Sequence, residues 1–400
     1  MSPTPSHQGG VDYPQGFRAN GTHVGIKSSP KPDLALVIND GPLDSAAAVF
    51  TRNQFYAAPV GWTRHTIADG HLRAVLLNSG CANACTGQQG HDDTRQCAHH
   101  LAQVLRAHHY PVTPTDIGIC STGLIGSFLP MPTLLAGIDT LVPHTLATPP
   151  PTGGLQAAQA IMTTDTHPKY ACLTHPDQGW SLGAMIKGAG MIAPSLATML
   201  AVITTDAALL SSTLDQALRQ CSRETFDRLD IDGCCSTNDT VILLASGASH
   251  YQPTLDEFTT SLYRICEDLC HQLQDDAEGV TKRITITLTG APDEHCAHLG
   301  ARLIARDNLV KTAMFGADPN WGRVLAALGM VPFELDPNRV SVRFNGVEVF
   351  ACGSPQSYQV DLSGSHIHLD VDLGLGPAHA RILTTDLSHG YVEENSAYSS

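Results

Sequence analysis

At 400 residues the chain exceeds what one ordinary hydrophobic core holds, which favours two or three domains or one large layered domain and excludes a small disulfide-stapled module. With 42% apolar and 15% charged residues, and 23 Lys+Arg against 38 Asp+Glu, it carries a formal charge of −15. Such a chain can bury a core but lacks the cationic surface that draws polyanions, so a nucleic-acid partner is not expected.

Met1 to Gly10 (MSPTPSHQGG) has no basic stretch followed by an apolar one, so a cytoplasmic protein with reduced cysteines is expected. The most apolar stretch, Ala193 to Leu210, is broken by Ser195, Thr198, Thr204, Thr205 and Asp206. These are too costly to place in lipid, and no membrane partner is expected.

In chain order, Leu34–Asn39 (LALVIN), Ala46–Phe50 and Ala74–Asn78 are short apolar runs separated by turn residues, as buried strands are. Asp92–His109 places Cys97, Leu101, Val104 and Leu105 at helical spacing after a Gly90-His91-Asp92 entry, which predicts a surface helix on a sheet. Pro143–Gly154 (PHTLATPPPTGG) has the composition of a loop and is the best linker candidate of the first half. Trp180–Asp206 is Gly-, Ala- and Met-rich with little charge, and is expected to be buried, ending in a strand at Ala201-Val202-Ile203.

Amphipathic helices are predicted over Ser212–Arg228 and Thr254–Gln274, the second with Leu255, Phe258, Leu262, Ile265, Leu269 and Leu273 on one stripe. Arg283–Thr289 (RITITLT) alternates as a half-buried strand does. Val340–Phe344 and Val347–Phe350 flank Asn345-Gly346, a hairpin signal because both turn positions tolerate positive φ. Ile367, Leu369, Val371 and Leu373 alternate with polar residues as another strand. The sum is a mixed α/β protein with much antiparallel pairing and no regular βαβ repeat.

The candidate motifs divide sharply. Cys81 with Cys85, and Cys266 with Cys270 and His271, do not repeat structural-zinc spacing, so core packing is expected and no metal site is assigned. A metal- or ligand-binding structural protein built on the Cys/His content is the non-enzymatic alternative. Gly374-Leu375-Gly376-Pro377-Ala378 reads as a turn, since Pro377 and the lack of a following helix spoil a dinucleotide fingerprint. Lys187-Gly188-Ala189-Gly190 lacks the order of a P-loop. The 20 histidines show no HExxH pattern.

Segments dense in small hydroxyl residues remain: Ser121-Thr122-Gly123, Thr163-Thr164-Asp165, Ala197-Thr198 and Ser236-Thr237-Asn238-Asp239-Thr240. Singly each could be a turn or cap. Together they suggest acyl chemistry, in which a hydroxyl attacks a carbonyl and neighbouring donors hold the oxyanion, but composition alone does not pick the nucleophile.

From Lys187 to Ala207, KGAGMIAPSLATMLAVITTDA, the chain resembles the ornithine acetyltransferase (glutamate N-acetyltransferase) family of arginine biosynthesis. The resemblance runs nearly end to end through Gly25-Ile26-Lys27, AVFTRN (48–53), AAPV (57–60), NSGCANACTG (78–87), STGLIG (121–126), AIMTTD (160–165), STNDT (236–240), EGVTK (278–282), KTAMFGADPNWG (311–322) and NSAYSS (395–400).

It implies a self-cleaving precursor with stacked α/β layers, related in fold to DmpA-type amidases. The cut falls between Ala197 and Thr198, giving an α chain 1–197 and a β chain 198–400 that stay associated, two of each. Thr198 is then the nucleophile, Thr122 and Gly123 the oxyanion-hole pair. Thr163, Lys187, Thr198, Glu278, Asn395 and Ser400 match the positions holding the amino-acid substrate, with Thr163 preferred to Thr164 by segment alignment.

The implied reaction is ping-pong transfer of acetyl from N2-acetyl-L-ornithine to L-glutamate through an acetyl-Thr enzyme. It uses no cofactor, and acetyl-CoA is an open second donor. The alternative within the same fold is an amidase or aminopeptidase in which water is the acceptor. Cys234-Cys235 and a closing Ser400, where many relatives have Thr, depart from the family pattern.

Overall fold

The computed structural model describes residues 4–175, 178–193, 199–357 and 359–397. They fall into two compact units, one made of 1–188, 195–227 and 235–273, the other of 189–194, 228–234 and 274–400.

The first unit contains β1 (Phe17–Thr22), β2 (Leu34–Asn39), β3 (Ser45–Phe50), α1 (Ala58–Thr66), β4 (Ala74–Cys81), α2 (Gly87–Ala107), β5 (Ile117–Leu124), α3 (Met131–Ala147), α4 (Gly154–Ala160), β6 (Lys169–Thr174), β7 (Ser181–Lys187), β8 (Leu200–Thr205), α5 (Ser211–Glu224), β9 (Thr240–Ala245) and most of α6 (Leu255–Asp275). Its strands form two sheets, ordered β1-β2-β4-β5 and β3-β9-β8-β7-β6.

The LALVIN run explains how they stack. Ala35 and Val37 enter one core with Val202 and Ile242 of the other sheet, whereas Leu34, Leu36 and Ile38 enter a second core with Leu101 of α2 and Ile138 of α3. A strand buried on both faces needs a continuous apolar run rather than alternation. On the far side of the second sheet, α5 packs against β3 and β9, while Gln272 of α6 exchanges hydrogen bonds with the backbone of Tyr170 in β6. The order is helices, sheet, sheet, helices.

In this unit most ladders are antiparallel, with parallel pairing of β4 with β5 and of β8 with β9. A helix joins each parallel pair, α2 for the first and α5 for the second, as parallel crossovers require.

The second unit carries β10 (Arg283–Ala291), α7 (Glu294–Arg306), α8 (Asn308–Phe315), α9 (Trp321–Leu328), β11 (Ser341–Phe344), β12 (Val347–Ala351), β13 (Ser354–Pro355), β14 (His366–Asp372), β15 (Ala378–Thr385) and α10 (His389–Ala397). One sheet, β13-β12-β11-β14-β10-β15, packs the alternate residues Ile284, Ile286 and Leu288 into a core with Ala301 and Ile304 of α7. The hairpin at Asn345-Gly346 forms as expected, with φ of 48° and 80° at its two turn residues.

Three expectations need correction. Pro143 lies inside α3, so the loop reduces to 148–153 before α4 begins. α2 starts at Gly87, which places Gly90-His91-Asp92 within the helix. The helix predicted over Ser212–Arg228 ends at Glu224, and Phe226–Arg228 is a separate 3-10 turn. Cys81, Cys266 and Cys270 are buried as expected, while Cys85 is exposed. Gly374, with φ of 63°, turns the chain between β14 and β15. Among the described residues no helix is long and apolar enough to cross a membrane.

Candidate active site

β5 ends at the predicted oxyanion pair. Thr122 is buried, and its hydroxyl has no hydrogen-bond partner among the described residues. Gly123 has a φ of 129°, and a Cβ there would collide with the backbone of Gly80 and Cys81. Only glycine fits that conformation and that approach. Across the ladder Gly80 pairs with Gly123, and the register slips at Cys81. Such a bulge re-aims the end of a strand.

Polar side chains hold this strand end from two directions. Ser121 Oγ donates to Asn78 Oδ1 at 2.6 Å, and Asn78 Nδ2 donates to the Cys81 carbonyl at 2.9 Å. From the STNDT segment, Asn238 Nδ2 donates to the carbonyls of Ala82 (2.7 Å) and Ser121 (2.8 Å).

The next residue of that segment, Asp239, is fully buried and accepts from the Met199 N–H at 3.3 Å. Thr240 donates its N–H to the Met199 carbonyl at 3.1 Å. The chain immediately after the 197–198 junction is thus fixed to the same segment that fixes β5. Burial, and then the neighbouring Cys235, push the Asp239 carboxyl well above the usual carboxylate range, with Lys187 opposing.

Lys187 closes β7, is buried, and pairs in register with Leu200 of β8. Beside it Asp165 accepts from Gly188 N (2.7 Å), Thr163 N (2.8 Å) and Lys169 Nζ (2.7 Å). Burial alone would raise this carboxyl, but Lys187 and Lys169 outweigh it and hold it below the usual range. The Thr163 loop is therefore joined to the end of β7 through one carboxylate. Thr163 and Thr164 are both half-buried.

Lys27 has no role in the sequence reading, yet it touches both halves of this arrangement. Its Nζ donates to the carbonyls of Met162 (2.7 Å) and Pro32 (2.8 Å). A Cβ on Gly80 would touch the Lys27 side chain. The loop bearing it is wound around buried Asp33, which accepts the N–H groups of Val24, Gly25, Ile26 and Lys27 at 2.7–3.1 Å. Burial brings the Lys27 ammonium down to about 8 against the opposing pull of Asp33 and Asp165. Lys27 and Asp239 fall within the Gly25-Ile26-Lys27 and STNDT motifs, but no local pattern gives them or Asp33 a role, because their partners lie in other strands and loops.

Of the predicted residues, Thr122, Gly123, Thr163 and Lys187 belong to the first unit, linked by these contacts around Met199. Glu278 and Asn395 belong to the second, where Asn395 Nδ2 donates to Glu278 Oε2 at 2.8 Å. There the Glu278 carboxylate sits over Gly190, where any Cβ would strike it. Tyr391 Oη donates to Asp232 Oδ2 at 3.4 Å, and Asp232 also accepts from Met191 N at 2.7 Å. Burial and then Glu278 raise the Asp232 carboxyl, except for the pull of its backbone donors. Ala197, Thr198 and Ser400 lie outside the described residues.

The ArgJ family model matches residues 18–400. The arginine biosynthesis bifunctional protein ArgJ of Mycolicibacterium paratuberculosis is 57% identical over 393 residues, covering 98% of this chain and 96% of that one. Its namesake in Mycobacterium tuberculosis is 58% identical over 397 residues with the same coverage. A solved structure of ornithine acetyltransferase complexed with ornithine, also from Mycobacterium tuberculosis, is 47% identical, covers 50% of this chain and 100% of that chain, and superposes with a TM-score of 0.47. On the family match and these full-length relatives, the chain belongs to the ArgJ family.

Proposed function

We propose that this chain is an acetyltransferase of arginine biosynthesis that moves acetyl from N2-acetyl-L-ornithine to L-glutamate, with acetyl-CoA as a second donor. Family membership and the bifunctional relatives support acetyl transfer over the amidase alternative. The structural observation that carries the reading is the anchoring of Met199 by Asp239 next to Asn238, which fixes the Thr122-Gly123 strand end.

In this reading the precursor cuts itself between Ala197 and Thr198, and the 1–197 and 198–400 chains remain together, two of each, in the cytoplasm. The freed Thr198 α-amine, with a reference pKa of about 7.7–8.0, takes the proton of its own hydroxyl. The oxygen attacks the acetyl carbonyl, and the Thr122 hydroxyl and Gly123 N–H hold the oxyanion. The C–N bond breaks, ornithine's α-amine leaves with the proton, and acetyl stays on Thr198 as an ester. Glutamate's α-amine then attacks the ester, giving N-acetylglutamate and restoring the hydroxyl. No cofactor is required.

Lys187 pairs with substrate carboxylate, Glu278 and Asn395 take the ammonium end, and Thr163 and Ser400 complete the set. Binding energy from these remote contacts positions the attacking amine and favours glutamate over water.

Intact-mass spectrometry tests the reading. Purified protein should give two chains, the second starting at Thr198, and N-acetylornithine alone should add one acetyl group to the second chain. Glutamate should discharge it much faster than water does. An uncut but active chain removes Thr198 as nucleophile, and discharge by water as fast as by millimolar glutamate makes the protein an amidase.

A further inference from the structure

At the edge of the second sheet, the end of β3 and the following Thr51–Gln54 border a cavity of about 790 Å³, closed on other sides by Arg64 and by Ser211, Asp215 and Arg219 of α5. A second cavity of about 420 Å³ shares Val49, Phe50, Arg52 and Arg219 with it and adds Arg223. Four arginines thus line one cleft of a chain whose formal charge is −15.

Three carboxylates share the lining with these four arginines: Asp215, which accepts from Arg219 at 2.8 Å, Asp69, and Asp227 of the second cavity. Arg52 has no ion pair or hydrogen bond with any described residue. Arg64 is held by aromatic faces, 5.3 Å from the Phe50 ring centre and 5.0 Å from that of Tyr56, and otherwise only reaches the Thr51 carbonyl at 3.4 Å. Guanidinium groups match phosphate oxygens in pairs. Tyr56, 45% exposed, carries Arg64 on one face of its ring.

The cleft also lies within reach of the chemistry. Phe50 pairs with Thr240 across β3 and β9, and Thr240 with Leu200 across β9 and β8. Two strand spacings, about 10 Å, therefore separate the cleft's edge from the second residue after Thr198. Thr51 and Asn53 are tied to the same loop by bonds to the carbonyls of Ser236 (2.6 Å) and Cys235 (2.8 Å).

We propose that this cleft binds the phosphorylated nucleotide end of a coenzyme A thioester, whose pantetheine arm runs past the end of β3 to the start of β8. The inference rests on the acetyl-transfer reading. Thr198 oxygen attacks the thioester carbonyl, the C–S bond breaks, and the thiolate leaves with the proton taken from the hydroxyl, leaving the acetyl ester.

The test titrates coenzyme A itself, and 3′-dephospho-coenzyme A, into wild type, Arg52→Glu, Arg52→Lys and Arg219→Gln. Each variant's rate from N-acetylornithine to glutamate serves as its folding control. Coenzyme A should bind wild type, and Arg52→Glu should weaken it by about tenfold or more, as loss of a charge-assisted contact predicts. Arg52→Lys should weaken it less, and the N-acetylornithine rate should stay within about twofold. Equal affinity in wild type and Arg52→Glu, or no binding to wild type at millimolar coenzyme A, overturns the assignment. Failure of the acetyl-transfer reading registers separately, as an absence of acetyl-enzyme from N-acetylornithine.

Discussion

The Met199 N–H donates to Asp239 Oδ1 across 3.3 Å, joining the first described residue after the 197–198 junction to a carboxyl with no solvent exposure. Burial and Cys235 push that carboxyl well up, in the direction of a neutral acceptor, for which asparagine is close in shape. Asp239→Asn should therefore fold and cut itself at close to the wild-type rate. Asp239→Ala leaves a buried N–H without its acceptor, which costs about 1–3 kcal/mol, and should slow both cleavage and transfer. Melting temperature and the fraction of uncut chain measure this. A hundredfold loss in Asp239→Asn would mean that the ionised carboxylate is needed.

Legibility in the sequence follows the range of the interactions. Strands such as Leu34–Asn39 and Arg283–Thr289, and the Asn345-Gly346 hairpin, were readable because apolar runs, alternation and turn chemistry act over a few residues. α3 was not, because Pro143 reads as a breaker, yet Leu141, Val142 and Thr145 around it are buried, and packing overrides local propensity. β5 (IGICSTGL) was likewise missed. Ser121-Thr122-Gly123 alone reads as a turn or cap, and only pairing with β4 makes the segment a strand. At the candidate site, Thr122, Gly123, Thr163 and Lys187 are named only through the family motifs, while the sequence does not show that Asp165 joins the Thr163 loop to the end of β7 or that Lys27 braces Met162.

The proposed oxyanion pair, Thr122 and Gly123, separates chemistry from architecture. The Thr122 hydroxyl supports no described neighbour, so Thr122→Ala should leave the melting temperature unchanged and lower kcat by about 10²–10³, the usual consequence of deleting one oxyanion donor. Gly123→Ala forces a Cβ into the Gly80–Cys81 backbone at a φ of 129°, so it should lower both the melting temperature and kcat. Unchanged kcat in Thr122→Ala refutes its role, and an unchanged melting temperature in Gly123→Ala refutes the close approach of β4 and β5.

Asp165 makes the protein's acid sensitivity predictable. Its folded carboxyl is held below the usual range by Lys187 and Lys169 despite its burial, whereas in the unfolded chain it returns to about 3.9. A depressed folded value means that the native state binds fewer protons than the unfolded state. This contribution to stability is present above about pH 4 and is lost as the pH falls through that range towards the folded value. At neutral pH, Asp165→Asn keeps the shape but leaves two buried ammonium groups facing a neutral amide. Removing one partner of a buried pair costs about 3–5 kcal/mol. Asp165 also holds Thr163 and Gly188 by their backbone N–H groups, so the variant should raise KM for both amino-acid substrates. Urea unfolding of wild type and Asp165→Asn from pH 3 to 7 is the measurement. The variant should be less stable at pH 7, and the gap between the two should narrow as the pH drops below about 4. A gap that stays constant across this range would show that the carboxylate is not the acid-sensitive element of the site.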